Sequence, residues 1–141
     1  MQFDQNNHVV KLCAKGMEYE AEQKPEEAYA SFLKAWEGAI TDSEKFTAAH
    51  YVARHQKTVQ DKLAWDVKAL EFALKVDDPG MTAMYPSLYL NIAKCHEDLH
   101  DPVNAKMNYE TAWSFTDHLP DNGYGKMIRS GIMKGLERVT G

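Results

Sequence analysis

The sequence predicts an all-α protein, and three observations carry that prediction. No run of β-branched residues alternates with polar ones, and no Asn-Gly or Asp-Gly turn joins two alternating runs. Apolar residues recur instead at helical spacing, and the five prolines fall between those stretches rather than inside them. A shift of 77 residues also lays one pair of helical stretches on another. Pro25 falls on Pro102, Ala28 on Ala105, Phe32 on Tyr109 and Ala35-Trp36 on Ala112-Trp113; in the preceding stretches Leu12 falls on Tyr89, Gly16 on Ala93 and Glu20 on Glu97.

Seven helices are expected. The first covers about residues 7–23. Pro25 opens the second, at a position where a missing N–H costs nothing, and that helix reaches about Ile40. Thr41 with Glu44 three residues later forms a capping box for the third, which ends near Gln56. The fourth runs from about Gln60 to Val76, where Asp78-Pro79-Gly80 stops it. The fifth spans about Pro86 to Asp98. Asp101 caps the sixth and Pro102 takes its first position; it closes before His118-Leu119-Pro120. The seventh starts after Asp121-Asn122, at about residues 122–139. It carries the stripe Tyr124, Met127/Ile128, Gly131/Ile132, Gly135/Leu136, Val139, with Lys126, Arg129, Lys134, Glu137 and Arg138 largely off it. This is the pattern of a capping helix, in which Gly131 and Gly135 permit close packing.

The first six helices pair into hairpins over about residues 9–40, 46–78 and 86–117. A small residue on the leading helix (Gly16, Ala53, Ala93) lets the second come close, and a ring (Phe32, Tyr109) fills the gap. The middle hairpin fits less well: Ala53 matches Gly16 and Ala73-Leu74 matches Ala35-Trp36, but the register changes by one between them, and Asp66 stands where a small residue is expected. The first hairpin reads Leu12-x2-Lys15-Gly16-x2-Tyr19 then Ala28-x3-Phe32, and the third Tyr89-x2-Ile92-Ala93-x2-His96 then Ala105-x3-Tyr109. This resembles the tetratricopeptide repeat, with Trp-x2-Leu-Gly-x2-Tyr on its first helix and Ala-x3-Phe on its second. The proline that closes such a repeat is absent from the first unit, while Pro79 and Pro120 stand near that place in the others. The resemblance implies a right-handed helical-hairpin solenoid, three repeats and the capping helix making one domain over residues 1–141, of the kind found in short bacterial repeat proteins.

Composition agrees with an ordinary globular chain. It has 141 residues, near the usual size of roughly 100–200 per domain, with 44% hydrophobic and 26% charged residues. The net charge of −5 argues against a general nucleic-acid binder. Two cysteines, Cys13 and Cys95, are too few for a secreted scaffold and read as reduced, semi-buried thiols of a cytoplasmic protein. The stretch MQFDQNNHVVKLC shows no basic region followed by an apolar run, so no signal peptide is expected, and no window of 18 apolar residues suggests a membrane span.

Catalytic motifs fail in context. His96-Glu97-Asp98-Leu99-His100 matches the zinc-protease pattern, in which two imidazoles one turn apart hold the metal. His100 instead falls where the hairpin turn belongs, ahead of Asp101-Pro102, and no third ligand has a motif of its own. The small metal-dependent hydrolase is therefore the less favoured alternative. A methyltransferase, a label that short bacterial repeat proteins similar to this one sometimes carry, needs a parallel sheet with a glycine-rich loop, and neither is offered. Glu18, Glu20, Glu22, Glu26 and Glu27 read as a solvated face with favourable charge at a helix N-terminus. Trp36, Trp65 and Trp113 read as core or inter-repeat filler. No catalytic residue, metal ligand or cofactor is assigned.

The expected function is non-catalytic binding of a protein or peptide, as a scaffold or adaptor. Self-association through an exposed repeat face, giving a homodimer, is the alternative. In the register of the resembled repeat, the face three before and one after each small residue lines a concave groove. That assigns His50 and Arg54 on the third helix, Leu90, Asn91, Lys94 and Glu97 on the fifth, and Met17 and Glu20 beside Cys13 on the first. Two cations and an amide on one surface suit a ligand with an acidic group. No nucleic-acid or membrane partner is expected.

Overall fold

A computed structural model describes residues 4–140; the first three residues of the stretch read for a targeting signal lie outside the described residues, as does Gly141. Among the described residues there are seven α-helices and no strand: α1 His8–Ala21, α2 Pro25–Gly38, α3 Asp42–Ala53, α4 Val59–Lys75, α5 Tyr85–Asp98, α6 Pro102–Ser114 and α7 Gly123–Thr140. Local chemistry sets their starts. The Asn7 side chain accepts from the Val9 and Val10 N–H groups. Thr41 accepts from the Glu44 N–H while Glu44 reaches back to the Thr41 N–H, so the expected capping box is formed. Thr58 caps α4 and Asp101 caps α6, ahead of Pro102.

Two 3-10 segments depart from the expectation. Asp78-Pro79-Gly80 does more than stop α4: the Asp78 carboxylate accepts from the Gly80 N–H at 2.8 Å and starts a short turn, Pro79–Ala83, which buries Met81. A second such turn, Thr116–His118, follows α6.

The hairpins α1–α2 and α5–α6 close in the same way. Gln23 and His100 both adopt the left-handed conformation, with φ of 62° and 60°. In each turn two N–H groups bond back to the helix: Gln23 to the Glu20 carbonyl and Lys24 to that of Tyr19, His100 to that of Glu97 and Asp101 to that of His96. This is a Schellman closure, repeated at the 77-residue shift read in the sequence.

The chain divides into two compact units, Met1–Asp77 and Asp78–Gly141. In the first, α1 and α2 pack as a pair, α3 lies against both, and α4 pairs with α3. Its core holds Val9, Cys13, Ala28, Phe32, Ala35, Ala48 and Val52. Phe32 stacks on Tyr51 with centroids 5.0 Å apart, and Gly16 lies against the edge of the same ring. Asp66, where a small residue was expected, is 4% exposed and faces inward with Ala69 and Ala73. Its carboxylate holds Lys62, one turn earlier, at 2.6 Å, so the buried charge is compensated.

In the second unit α5 and α6 pair and α7 packs on both. Leu90, Ala93, Ala105, Tyr109, Ala112, Ile128 and Ile132 form the core. The buried face of α7 is Gly125, Ile128, Ile132 and Gly135, with Leu136 and Val139 partly covered. The stripe read in the sequence is therefore too wide, since Tyr124 and Met127 lie outside the buried arc and Met127 is 62% exposed. Trp36 and Trp65 pack edge to face at 5.2 Å, but Trp113, at the position equivalent to Trp36, is 42% exposed and is not core. No helix among the described residues is long and apolar enough to cross a membrane.

Candidate functional site

The groove residues expected from the sequence divide between the two units. Met17, Glu20, His50 and Arg54 belong to the first, and Leu90, Asn91, Lys94 and Glu97 to the second.

In the first unit, α1 carries Glu20 to the end of α3. One carboxylate oxygen of Glu20 accepts from Arg54 Nη1 at 3.0 Å, and the other lies 2.8 Å from His55 Nε2. The Arg54 guanidinium also sits 4.7 Å over the Tyr51 ring. These contacts hold Arg54, the C-cap of α3, in one place, and its side chain remains 45% exposed. A depression of about 460 Å³ lined by Glu20, Gln23, Pro25 and His55 adjoins the cluster. Met17 is exposed on the same helix as Glu20.

His50 is mostly enclosed. Its Nδ1 is buried and has no hydrogen-bond partner, and its ring meets Tyr51 edge-on at 5.3 Å. Burial, with the nearby Arg54 charge, pushes its pKa down to about 4, so the ring is neutral at pH 7. It is a neutral ring and not one of the site's cations. Cys13 is a free buried thiol whose pKa burial raises to about 12, so it is not a nucleophile at neutral pH.

In the second unit Leu90 is 8% exposed and packs into the core opposite Gly131. It is a packing group and offers no open surface. Asn91 is half-buried and Lys94 exposed. Glu97 is clasped: one oxygen accepts from the Tyr109 hydroxyl at 2.7 Å and from Arg138 Nη2 at 3.1 Å, the other from Arg138 Nε at 2.7 Å. The Arg138 hydrogen bonds hold the Glu97 carboxyl below the usual carboxylate range. Glu20 and Glu97, equivalent in the repeat, thus do equivalent work. Each ties the leading helix of its unit to an arginine at the end of the third (Arg54 or Arg138). Sequence reasoning placed both acids and Arg54 in the groove but missed the two pairings, because they join residues 34 and 41 apart.

Around the zinc-like motif, His96 lies in the last turn of α5 and His100 beyond its end in the left-handed turn, so the two imidazoles are not stacked one helical turn apart. His96 Nδ1 is 3.8 Å from an Asp101 carboxylate oxygen. Among the described residues no three His, Cys, Asp or Glu side chains are grouped to hold a metal ion. Comparison with models of protein families, with curated proteins and with solved structures finds no match to this chain.

Proposed function

We propose that the chain is a non-catalytic protein- or peptide-binding module built from tetratricopeptide-like hairpins arranged as a short solenoid with α7 as its cap. The observation that supports this most is the repeated hairpin closure: Gln23 and His100 share one backbone conformation and one hydrogen-bond pattern at the 77-residue shift, and the small and aromatic packing residues follow the same shift. Repeat architectures of this kind act by presenting extended binding surfaces.

The ligand carries an acidic group. Arg54 is the first contact, being oriented by Glu20 and Tyr51 yet nearly half exposed. An incoming carboxylate shares its guanidinium with Glu20. Lys94, exposed on α5 with Asn91 one turn before it, offers the second unit a cation of its own. Shape and a few polar contacts set specificity.

Titration of labelled protein with an acidic peptide library, against a neutral library of equal length, tests this by NMR. Arg54 side-chain signals shift with the acidic peptides alone. No shift at Arg54, or an equal shift with the neutral peptides, refutes the assignment.

A further inference from the structure

We propose that a second copy of this chain docks on the outer face of α2, through an antiparallel α2–α2 contact about a two-fold axis between Ala30 and Ser31. The surface is a groove of about 540 Å³ between α1 and α2, with Leu12, Tyr19 and Leu33 along it and Glu27 and Lys34 at its rim.

Charge pattern selects the occupant. Glu27 and Lys34 are two helical turns apart on one face, about 10 Å at the usual helical rise. Neither has a hydrogen bond or ion pair with any described residue. In an isologous contact residue i meets j and j meets i. With α2 running antiparallel to its copy, the midpoint between Ala30 and Ser31 sets Glu27 against Lys34 of the second copy, and Lys34 against its Glu27. Ala30 is exposed and the Ser31 hydroxyl is turned inward to the Leu12 carbonyl at 2.7 Å, so the crossing point is small and the helix axes approach closely.

The hairpin fold itself does not require these charges. At the 77-residue shift the other unit has Asn104 for Glu27, Met107 for Ala30, Glu110 for Leu33 and Thr111 for Lys34, on a helix paired in the same way. Lys11 and Glu18 on α1 and Asp61 and Lys68 on α4 also stand seven apart about an exposed alanine, but Glu18 is paired with Lys15 and Lys68 lies over Trp36 and Trp65, whereas both charges on α2 are unpaired. This face is separate from the residues assigned to the acidic ligand.

Sedimentation velocity over a concentration series tests the proposal, with circular dichroism confirming that each variant is folded. The wild-type chain forms a concentration-dependent dimer that weakens with added salt, because exposed pairs are screened. Glu27→Lys alone and Lys34→Glu alone each raise the dissociation constant by about tenfold or more, since both set like charges against each other. An equimolar mixture of the two variants restores the dimer, because the two lysines of one variant then face the two glutamates of the other. A monomer at every concentration overturns the proposal and leaves the face to a different protein. So does a dimer indifferent to both reversals, or a mixture that stays monomeric.

Discussion

Replacing Gly135 with alanine sets a methyl group 2.3 Å from two ring carbons of Tyr109. Tyr109 is 0% exposed and its hydroxyl is bonded to Glu97, so the ring is blocked from moving aside. The methyl must shift α7 or break the Glu97 clasp. Overpacking of this kind costs about 1–3 kcal/mol. Alanine is the better helix former by about 1 kcal/mol, which offsets part of that cost. With the ring held in place the cost lies at the upper end of that range, so the net loss is about 2 kcal/mol, read as a lower urea midpoint at unchanged slope. Gly131 is the control. A methyl there lies 3.3 Å from the end of the flexible Leu90 side chain, which turns away, so Gly131→Ala is neutral or mildly stabilising. If Gly135→Ala is as stable as wild type, or Gly131→Ala is the more damaging, the packing account of α7 is refuted.

Further outcomes follow from the same contacts. His50 is neutral in the fold, with a pKa near 4 against an ordinary 6.5, so the unfolded chain binds its proton first and stability falls as pH drops from 6.5 toward 4. Urea midpoints at pH 7 and pH 4.5 differ by less in His50→Phe; an unchanged pH dependence contradicts the buried, unpartnered ring. Glu44, whose carboxyl the Asn7 amide and the Thr41 and Ile40 N–H groups hold down to about 2, adds stability that is lost only below its ordinary 4.5, which keeps that window attributable to His50. Glu44→Ala removes half the capping box and the Asn7 bond, costing about 1 kcal/mol by denaturation; no loss refutes the cap's contribution. Chelator leaves the melting temperature unchanged, and elemental analysis of the purified chain finds no stoichiometric zinc; an equivalent of zinc that His96→Ala abolishes overturns the assignment of that stretch to the end of α5.

Much of the fold was legible because its signals are local. The Thr41–Glu44 box, Pro25, and Asp101 with Pro102 each mark a helix start within four residues, and each is formed as read. The helical period located all seven helices, which pack in neighbouring pairs. What the period could not resolve was rotation to within one position. Met127 and Ile128 are adjacent in the stripe, yet only Ile128 is buried, because α5 and α6 contact a narrower arc. The inward carboxylate of Asp66 ran against composition, although Lys62 four residues earlier was its available signal. The candidate site was less legible. Glu20 and Glu97 were visible as equivalent positions, but their arginines stand on helices whose approach is set by packing. Leu90 was assigned to a surface from its spacing to Ala93, and α7 buries it.

Recognition of an acidic group rests on Arg54. Calorimetric titration of an acidic peptide selected from the library into wild type, Arg54→Ala and Arg54→Lys tests this. Arg54→Ala weakens binding by about 1–3 kcal/mol, more at low salt than at high. Arg54→Lys weakens it by less, since lysine keeps the charge as a flexible point but loses the fixed fork. Affinity unchanged in Arg54→Ala contradicts the claim.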